Sequence, residues 1–284
     1  MIKANLHTHS LYCDGKAGIE EVITTAIEKG FDVLGFSSHA PVPFDNNFSI
    51  KNEAALKDYV QEVRELSKKY ADDIKVYLSL EADYIPGISK PFAGFRKENN
   101  LDYIIGSVHL VKSPDDELWF IDGPKHEIYD EGLKLFFKGD IATAVKAYYH
   151  QVNEMITTQK PDMVGHLDKV KMHNKGRYFE EDESWYVKLV DETLDYLKAN
   201  NIVMEVNTRG IYRGRSKSLF PGKEILKKAA KLNIPVSLNS DAHKPQELEG
   251  YYAEAKDILI ECGYKEVYYY LDGFWKSFAI NKRR

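Results

Sequence analysis

The chain has 284 residues, of which 43% are apolar and 29% charged, which excludes a small disulfide scaffold, a fibrous protein and a disordered one and leaves room for a large core. Its 39 basic and 44 acidic side chains give a formal charge of −5, so the surface as a whole offers no track for nucleic acid. Cys13 and Cys262 are the two cysteines; they could form at most one bridge, which points to a reducing compartment, the cytoplasm.

No apolar run approaches the roughly 20 residues of a membrane span, so no membrane partner is expected. Met1 to Leu6 leads directly into polar residues, which predicts no signal peptide and an N-terminus that already belongs to the fold. The first strand is predicted at Ile2 to Leu6, followed by a helix at Ile19 to Lys29, a strand at Asp32 to Phe36 and a helix at Ile50 to Tyr70. Strands at Ile74 to Leu80 and Tyr103 to Val108 precede a helix at Ile141 to Thr158 and a strand at Asp162 to Gly165. A helix at Glu183 to Ala199, a strand at Ile202 to Val206, a helix at Lys223 to Lys231 and a strand at Pro235 to Asn239 complete the series.

Strands as apolar as VYLSL and IVMEV fit a parallel sheet covered on both faces, and the βα alternation without a long linker predicts one α/β domain over residues 1–284, closed as a barrel. The last segment reads as a terminal hairpin, two β-runs around the turn pair Asp272 and Gly273. Two irregular stretches, Leu110 to Asp130 and Thr208 to Gly222, each follow a strand, where α/β barrels build their active face.

Chemistry concentrates at the strand ends. Leu6 is followed by His7-Thr8-His9, Phe36 by Ser37-Ser38-His39, Leu80 by Glu81, Val108 by His109, Gly165 by His166, Val206 by Asn207, and Asn239 by Ser240-Asp241-Ala242-His243. Parallel strands point the same way, so these side chains converge on one rim. Imidazoles and carboxylates together are a ligand set for divalent zinc, iron or manganese. Residues two apart on an extended backbone share a face, so His7 and His9 can grip one ion; Asp241 and His243 can grip one ion or two neighbouring ones. The ligands are too many for one tetrahedral metal, and Glu81 is the expected bridge between two ions. Asp14, in the Cys13-Asp14-Gly15 turn, is either an Asx-turn residue or a further ligand. Cys13 reads as a small buried neighbour, and His126, His150 and His173 lie away from the rim.

Paired ions lower the pKa of water and clamp the oxygens of an in-line displacement at phosphorus, so phosphoester hydrolysis by a metal-activated hydroxide follows naturally, although amide hydrolysis uses similar sites. Arg209, Arg213 and Arg215 crowd the loop after Asn207, and guanidinium groups bind phosphate bidentately. Arg209 and Arg213 are the expected phosphate ligands. Trp119, Phe120 and Asp122, in the loop after His109, offer stacking faces and a carboxylate to the organic part of a substrate.

The segments NLHTHSLYCDG, GFSSHA, SLEADY, GSVHL, DMVGHLD, MEVNTRG and SLNSDAH, in that order along nearly the whole chain, resemble the polymerase-and-histidinol-phosphatase (PHP) superfamily. The loop after His109, the MEVNT segment and the length are similar to its histidinol-phosphate phosphatase branch. The resemblance implies a distorted seven-stranded (β/α)7 barrel, akin to a TIM barrel, with a trinuclear metal site that hydrolyses L-histidinol phosphate in histidine biosynthesis. It implies one ion on His7, His9, Glu81 and Asp241, a second on Glu81, His109 and His166, and a third on Asp14, His39 and His243. Two or three ions are therefore expected, with Glu81, Asp241 and His243 as the catalytic candidates and a small phosphate monoester as the partner. Alternatives are a phosphoesterase for a nucleotide or sugar phosphate and a metal-binding module without catalysis. No feature of the sequence sets an oligomeric state.

Overall fold

In the computed structural model, which describes residues 2–280, seven parallel strands wind into a barrel-shaped sheet; Met1 and residues 281–284, the two ends of the expected domain, lie outside the described residues. The strands are β1 (Ala4–Asn5), β2 (Val33–Phe36), β3 (Lys75–Asp83), β4 (Tyr103–Ser107), β7 (Met163–Val164), β8 (Val203–Asn207) and β9 (Val236–Asn239), paired in that order. A small antiparallel hairpin, β5 (Leu110–Lys112) and β6 (Leu118–Phe120), stands on the rim after β4. The helices between strands are α1 (Ile19–Glu28), α2 (Glu53–Lys69), α3 (Phe92–Asn99), α4 (His126–Phe137), α5 (Ile141–Gln159), α6 (Ser184–Asn200), α7 (Arg209–Tyr212), α8 (Lys223–Lys231) and α9 (Tyr252–Glu261). All seven predicted barrel strands are present, and β3 runs on to Asp83, which places Glu81 inside the strand rather than just after it.

The short outer strands are joined by backbone hydrogen bonds just beyond them and by one side chain. The N–H of His9 donates to the Ala242 carbonyl at 2.8 Å and that of Ala242 to the His7 carbonyl at 3.2 Å, joining the two edges of the sheet just above β1 and β9. One turn lower, the Leu6 N–H donates instead to the Asn239 side-chain oxygen at 2.8 Å. The seam between first and last strand therefore lies between the two segments richest in expected ligands.

The helices follow ordinary local rules. Asn52 and Asp140 cap α2 and α5, each side chain accepting from the backbone N–H three residues on. The buried stripe of α1, Ile19, Val22, Ile23 and Ala26, has helical spacing and faces the sheet. Sequence periodicity does not disclose α3, α4 and α9; α4 occupies the end of the stretch expected to be irregular.

Beyond α9, β10 (Glu266–Leu271) and β11 (Phe274–Ala279) form the predicted terminal hairpin. Asp272 and Gly273 both have positive φ, 54° and 85°, as a two-residue type I′ turn demands. Its Tyr270 and Trp275 pack edge-on or tilted against Tyr77 and Tyr103, so the hairpin lies across the N-terminal side of the barrel, opposite the ligand rim. Among the described residues no helix is long and apolar enough to cross a membrane.

Candidate metal centre

The seam holds His7, Thr8 and His9 extended, so both imidazoles turn to the same side, with ring centroids 5.1 Å apart. Across the seam, Asp241 has φ of 53°, a left-handed conformation that Asp tolerates better than most residues. This bend gives the two residues different further partners, although Asp241 Oδ1 stays 3.4 Å from His243 Nδ1. Asp241 Oδ1 lies 3.2 Å from His9 Nε2, whereas His243 Nε2 lies 3.1 Å from Asp14 Oδ1. The two side chains thus lie side by side, one toward His9 and the other toward Asp14.

Glu81 projects from β3 into the middle. Its Oε2 lies 3.1 Å from His7 Nε2, 3.5 Å from His9 Nε2 and 3.3 Å from His39 Nδ1. Its Oε1 lies 3.0 Å from His166 Nε2 and 3.6 Å from His109 Nε2, and accepts from the Ser107 hydroxyl at 2.7 Å. Ligand atoms gather into His7, His9 and Glu81; Glu81, His109 and His166; and His9, Asp14, His39 and His243. A further group, His39, Asp83 and His109, contains a carboxylate that strand-end reasoning passes over. All nine expected ligand residues meet on this rim.

These groups fit metal ions. A tetrahedral set of ligands at zinc distances places donor atoms about 3.3 Å apart, close to the spacings around Glu81. Buried polar atoms are nearly always hydrogen-bonded, yet His7 Nε2, His9 Nε2, His39 Nδ1, Asp14 Oδ1 and Asp241 Oδ1 are buried without a hydrogen-bond partner. They face other ligand atoms of the rim, and bound cations would satisfy them.

Burial and neighbouring charge compete throughout. Burial opposes charge on His7, but the carboxylates of Glu205, Glu81 and Asp241 outweigh it and raise its pKa well above the usual imidazole value. His109 is likewise desolvated, yet Asp83 and Glu81 raise it to about 9. Burial, reinforced by His243, lowers His9 to about 3, and burial with Lys169 lowers His166. Against their own desolvation, Glu81 is held well below the carboxylate range by His7, His39 and His109, and Asp241 by His7 and Arg209. The carboxylates stay ionised, as ligands must be.

A cavity of about 270 Å³ opens over the centre, with Glu81, His39, His109, Asp241 and His243 on its floor and Lys16, Phe48, Phe120, Asp122, Arg209 and Arg215 on its walls. Phe48 and Phe120 stack with ring centroids 6.1 Å apart. Asp122 Oδ1 is buried and without a hydrogen-bond partner, while Oδ2 lies 3.2 Å from the buried ammonium of Lys169. The Arg209 guanidinium is fixed by donation to the Asp241 carbonyl at 2.8 Å.

Two expected substrate residues are not on these walls. Trp119 is fully buried, donates its indole N–H to the Tyr129 carbonyl at 2.9 Å and packs on Tyr129 and Phe137. It anchors the β5–β6 hairpin to α4, because alternation along β6 sends it away from the side that Phe120 faces. Arg213 points outward to Glu247 at 3.2 Å with 39% of its side chain exposed, since the turn after α7 carries it past the rim. Arg215 takes the wall position instead, 3.8 Å from Asp122.

Other residues at the centre carry weak sequence signals. Asp83 Oδ1 accepts from both the backbone N–H and Nδ1 of His109, at 3.0 and 2.9 Å. Glu205, inside the apolar strand β8, lies under His7 and His166. His173, outside the expected set, binds the Gly123 carbonyl at 2.8 Å and so supports the turn after Asp122.

The chain has relatives along most of its length. A histidinol-phosphatase of Bacillus subtilis is 26% identical over 270 residues, 90% of this chain and 98% of that one. A solved Listeria monocytogenes structure superposes with a TM-score of 0.76 at 25% identity, covering 88% of this chain and 99% of the other. The histidinol phosphate phosphatase of Lactococcus lactis, solved with zinc, L-histidinol and phosphate, shares the fold with a TM-score of 0.68 at 20% identity, covering 96% of this chain and 98% of its own. The sequence model of the PHP domain matches residues 5–209, the span that carries His7 through Arg209. Together with a seven-stranded barrel whose rim gathers histidines and carboxylates, that match places the chain in the PHP domain family.

Proposed function

We propose that this protein is a metal-dependent phosphomonoesterase that hydrolyses L-histidinol phosphate to L-histidinol and phosphate, a step of histidine biosynthesis, in the cytoplasm. The observation that carries this reading is one cavity in which the ligand atoms around Glu81 face the guanidinium groups of Arg209 and Arg215 and the wall of Phe48, Phe120 and Asp122. Arginines select phosphate where the ligand set alone fits several hydrolyses. Asp122 Oδ1, buried without a hydrogen bond and 3.8 Å from Arg215, suits an ammonium group, and the two phenyl rings suit a flat imidazole. The names of the Bacillus subtilis and Lactococcus lactis relatives support the same substrate.

His7, His9, Glu81 and Asp241 would hold one ion, Glu81, His109 and His166 a second, and Asp14, His39 and His243 a third. Two or three divalent ions of the zinc, iron or manganese kind would supply Lewis acidity at phosphorus and make water acidic near neutral pH. Glu81 and Asp241 keep negative charge on the cavity floor, and His243 presents its ring to the cavity between Asp14 and the Asp241 carbonyl. Arg209, immobilised by the Asp241 carbonyl, and Arg215 receive the phosphoryl oxygens. In this reading the whole chain, terminal hairpin included, is one catalytic domain.

A phosphate-release assay tests it, with L-histidinol phosphate, a sugar phosphate, a nucleoside monophosphate and p-nitrophenyl phosphate compared at equal concentration, with and without a chelator. L-Histidinol phosphate is expected to give the highest kcat/KM, and chelation to abolish turnover. A higher kcat/KM for the sugar or nucleoside ester transfers the protein to another specificity, and undiminished turnover after complete metal removal overturns the mechanism.

A further inference from the structure

We propose that Glu205 is a positioning residue that serves two ligand groups at once, fixing the tautomer of His7 and the backbone of His166, and that the metal affinity of the centre depends on it. The inference rests on the metal-centre reading above and adds a residue outside its ligand set. Glu205 is fully buried in β8. One oxygen, Oε1, lies 2.6 Å from His7 Nδ1; the other, Oε2, accepts the His166 backbone N–H at 2.8 Å and the Asn207 side-chain N–H at 3.1 Å. The same Asn207 nitrogen lies 3.2 Å from Asp241 Oδ2, which extends the network to a third expected ligand.

Three donors meeting two oxygens define what this side chain must be. In the neutral form that a metal ligand requires, the one ring proton of His7 would be held on Nδ1 by Glu205, leaving the lone pair on Nε2, the atom that faces Glu81. Among the described residues His7 is the ion-pair partner of Glu205, and neither Lys nor Arg neutralises it. A buried carboxylate in that position is costly unless cationic charge arrives through the imidazole it touches. Glutamine cannot substitute, since it has one acceptor oxygen. If that oxygen serves His166 and Asn207, the amide NH2 faces His7 Nδ1 and forces the proton onto Nε2, which removes the ligand. If it serves His7, the NH2 opposes two donors and pushes the His166 backbone away.

The experiment compares wild type, Glu205→Gln, Glu205→Asp and Asp102→Asn, a carboxylate change at an Arg64 pair just before β4. Each protein is stripped of metal, and zinc affinity and stoichiometry are measured by competition with a chromophoric chelator, alongside the visible spectrum of the cobalt-loaded form and the Tm of the metal-free form. Glu205→Gln is expected to weaken zinc binding by about 10- to 100-fold, to lose at least one ion and to alter the cobalt spectrum. Glu205→Asp, which keeps the charge but retracts the oxygens, is expected to fall between Gln and wild type, and it carries the test alone if the Gln variant does not fold. Asp102→Asn is expected to lower Tm and leave zinc affinity within about twofold of wild type. Wild-type affinity and stoichiometry in both Glu205 variants, or losses matched by Asp102→Asn at equal loss of Tm, overturn the role of Glu205 alone. A wild-type protein that takes up no zinc, cobalt, iron or manganese overturns the metal-centre reading and this inference with it.

Discussion

His109 Nε2 and His166 Nε2 face each other at 3.1 Å, both within reach of Glu81 Oε1, at 3.6 and 3.0 Å. Asp83 already engages the other nitrogen of His109, so its Nε2 is directed at His166 and Glu81 by a second carboxylate. Glu81 then turns Oε2 toward His7, His9 and His39. One carboxylate separates two nests of imidazole nitrogen, where it would bridge two ions if each nest held one.

Replacing Glu81 by Gln removes the charge both nests share and nearly preserves its shape. We expect loss of at least one bound ion and a fall in kcat of about 10²-fold or more, with an unchanged far-UV CD spectrum. Elemental analysis and steady-state kinetics check this; near-normal kcat with full metal content contradicts the bridge. Replacing the exposed His150 on α5 by Gln is expected to change neither.

The two walls of the cavity predict different substrate profiles. Ala at Arg209 or Arg215 should lower kcat/KM by roughly 10²-fold for every phosphate ester, because a charged hydrogen bond is lost. Ala at Phe120, or Asn at Asp122, should penalise L-histidinol phosphate far more than p-nitrophenyl phosphate. Equal losses on both esters in both groups of variants would show that the walls do not divide the substrate.

Trp119 is a structural anchor, and its removal should show in stability. Trp119→Ala deletes a fully buried indole and is expected to cost about 3–5 kcal/mol, seen as a lower urea midpoint, while KM measured well below the melting temperature stays near that of wild type. A large KM increase in folded Trp119→Ala would return the indole to the substrate site.

Gly15 sets the place of Asp14. A Cβ there would lie 2.5 Å from the Ser10 nitrogen and 2.7 Å from the His9 carbonyl carbon, so the turn must move. Gly15→Ala should draw Asp14 away from His39 and His243, reduce metal stoichiometry and lower kcat about tenfold or more. Full stoichiometry with unchanged kcat argues against Asp14 as a ligand.

Arg177 grips Asp130 through two hydrogen bonds of 2.7 and 2.8 Å, bracing the segment whose His173 supports the turn after Asp122. The guanidinium holds the Asp130 carboxyl well below its usual range. The folded value lies below the unfolded value of about 3.9, so the pair stabilises the fold above that pH and the contribution fades as pH falls toward the folded value. Both partners are partly exposed and water screens them, so the effect is modest. In metal-free protein, the gap in urea midpoint between wild type and Asp130→Asn should be full at pH 7 and narrower at pH 3; a constant gap would mean that the charge contributes nothing.

By itself the sequence determined the barrel and its ligand rim, because both follow from local rules. Apolar runs alternating with helical periodicity give parallel strands, and parallel strands bring their C-terminal ends together; His7, His9, Glu81, His109, His166 and Asp241 were legible for that reason. Tertiary structure alone decided which loop side chains face the cavity. Trp119 and Phe120 are adjacent, yet one is claimed by Tyr129 and Phe137 from α4 and the other lines the wall. Arg213 is paired with Glu247, far along the chain, whereas Arg215, two residues on, lies 3.8 Å from Asp122 and lines the cavity. Asp83 and Glu205 carry no sequence signal because a carboxylate inside an apolar strand announces no partner, and theirs, His109 and His7, follow other strands. The direction of a side chain in a loop, and the pairing of a buried charge, are fixed by packing against distant segments, which no local pattern encodes.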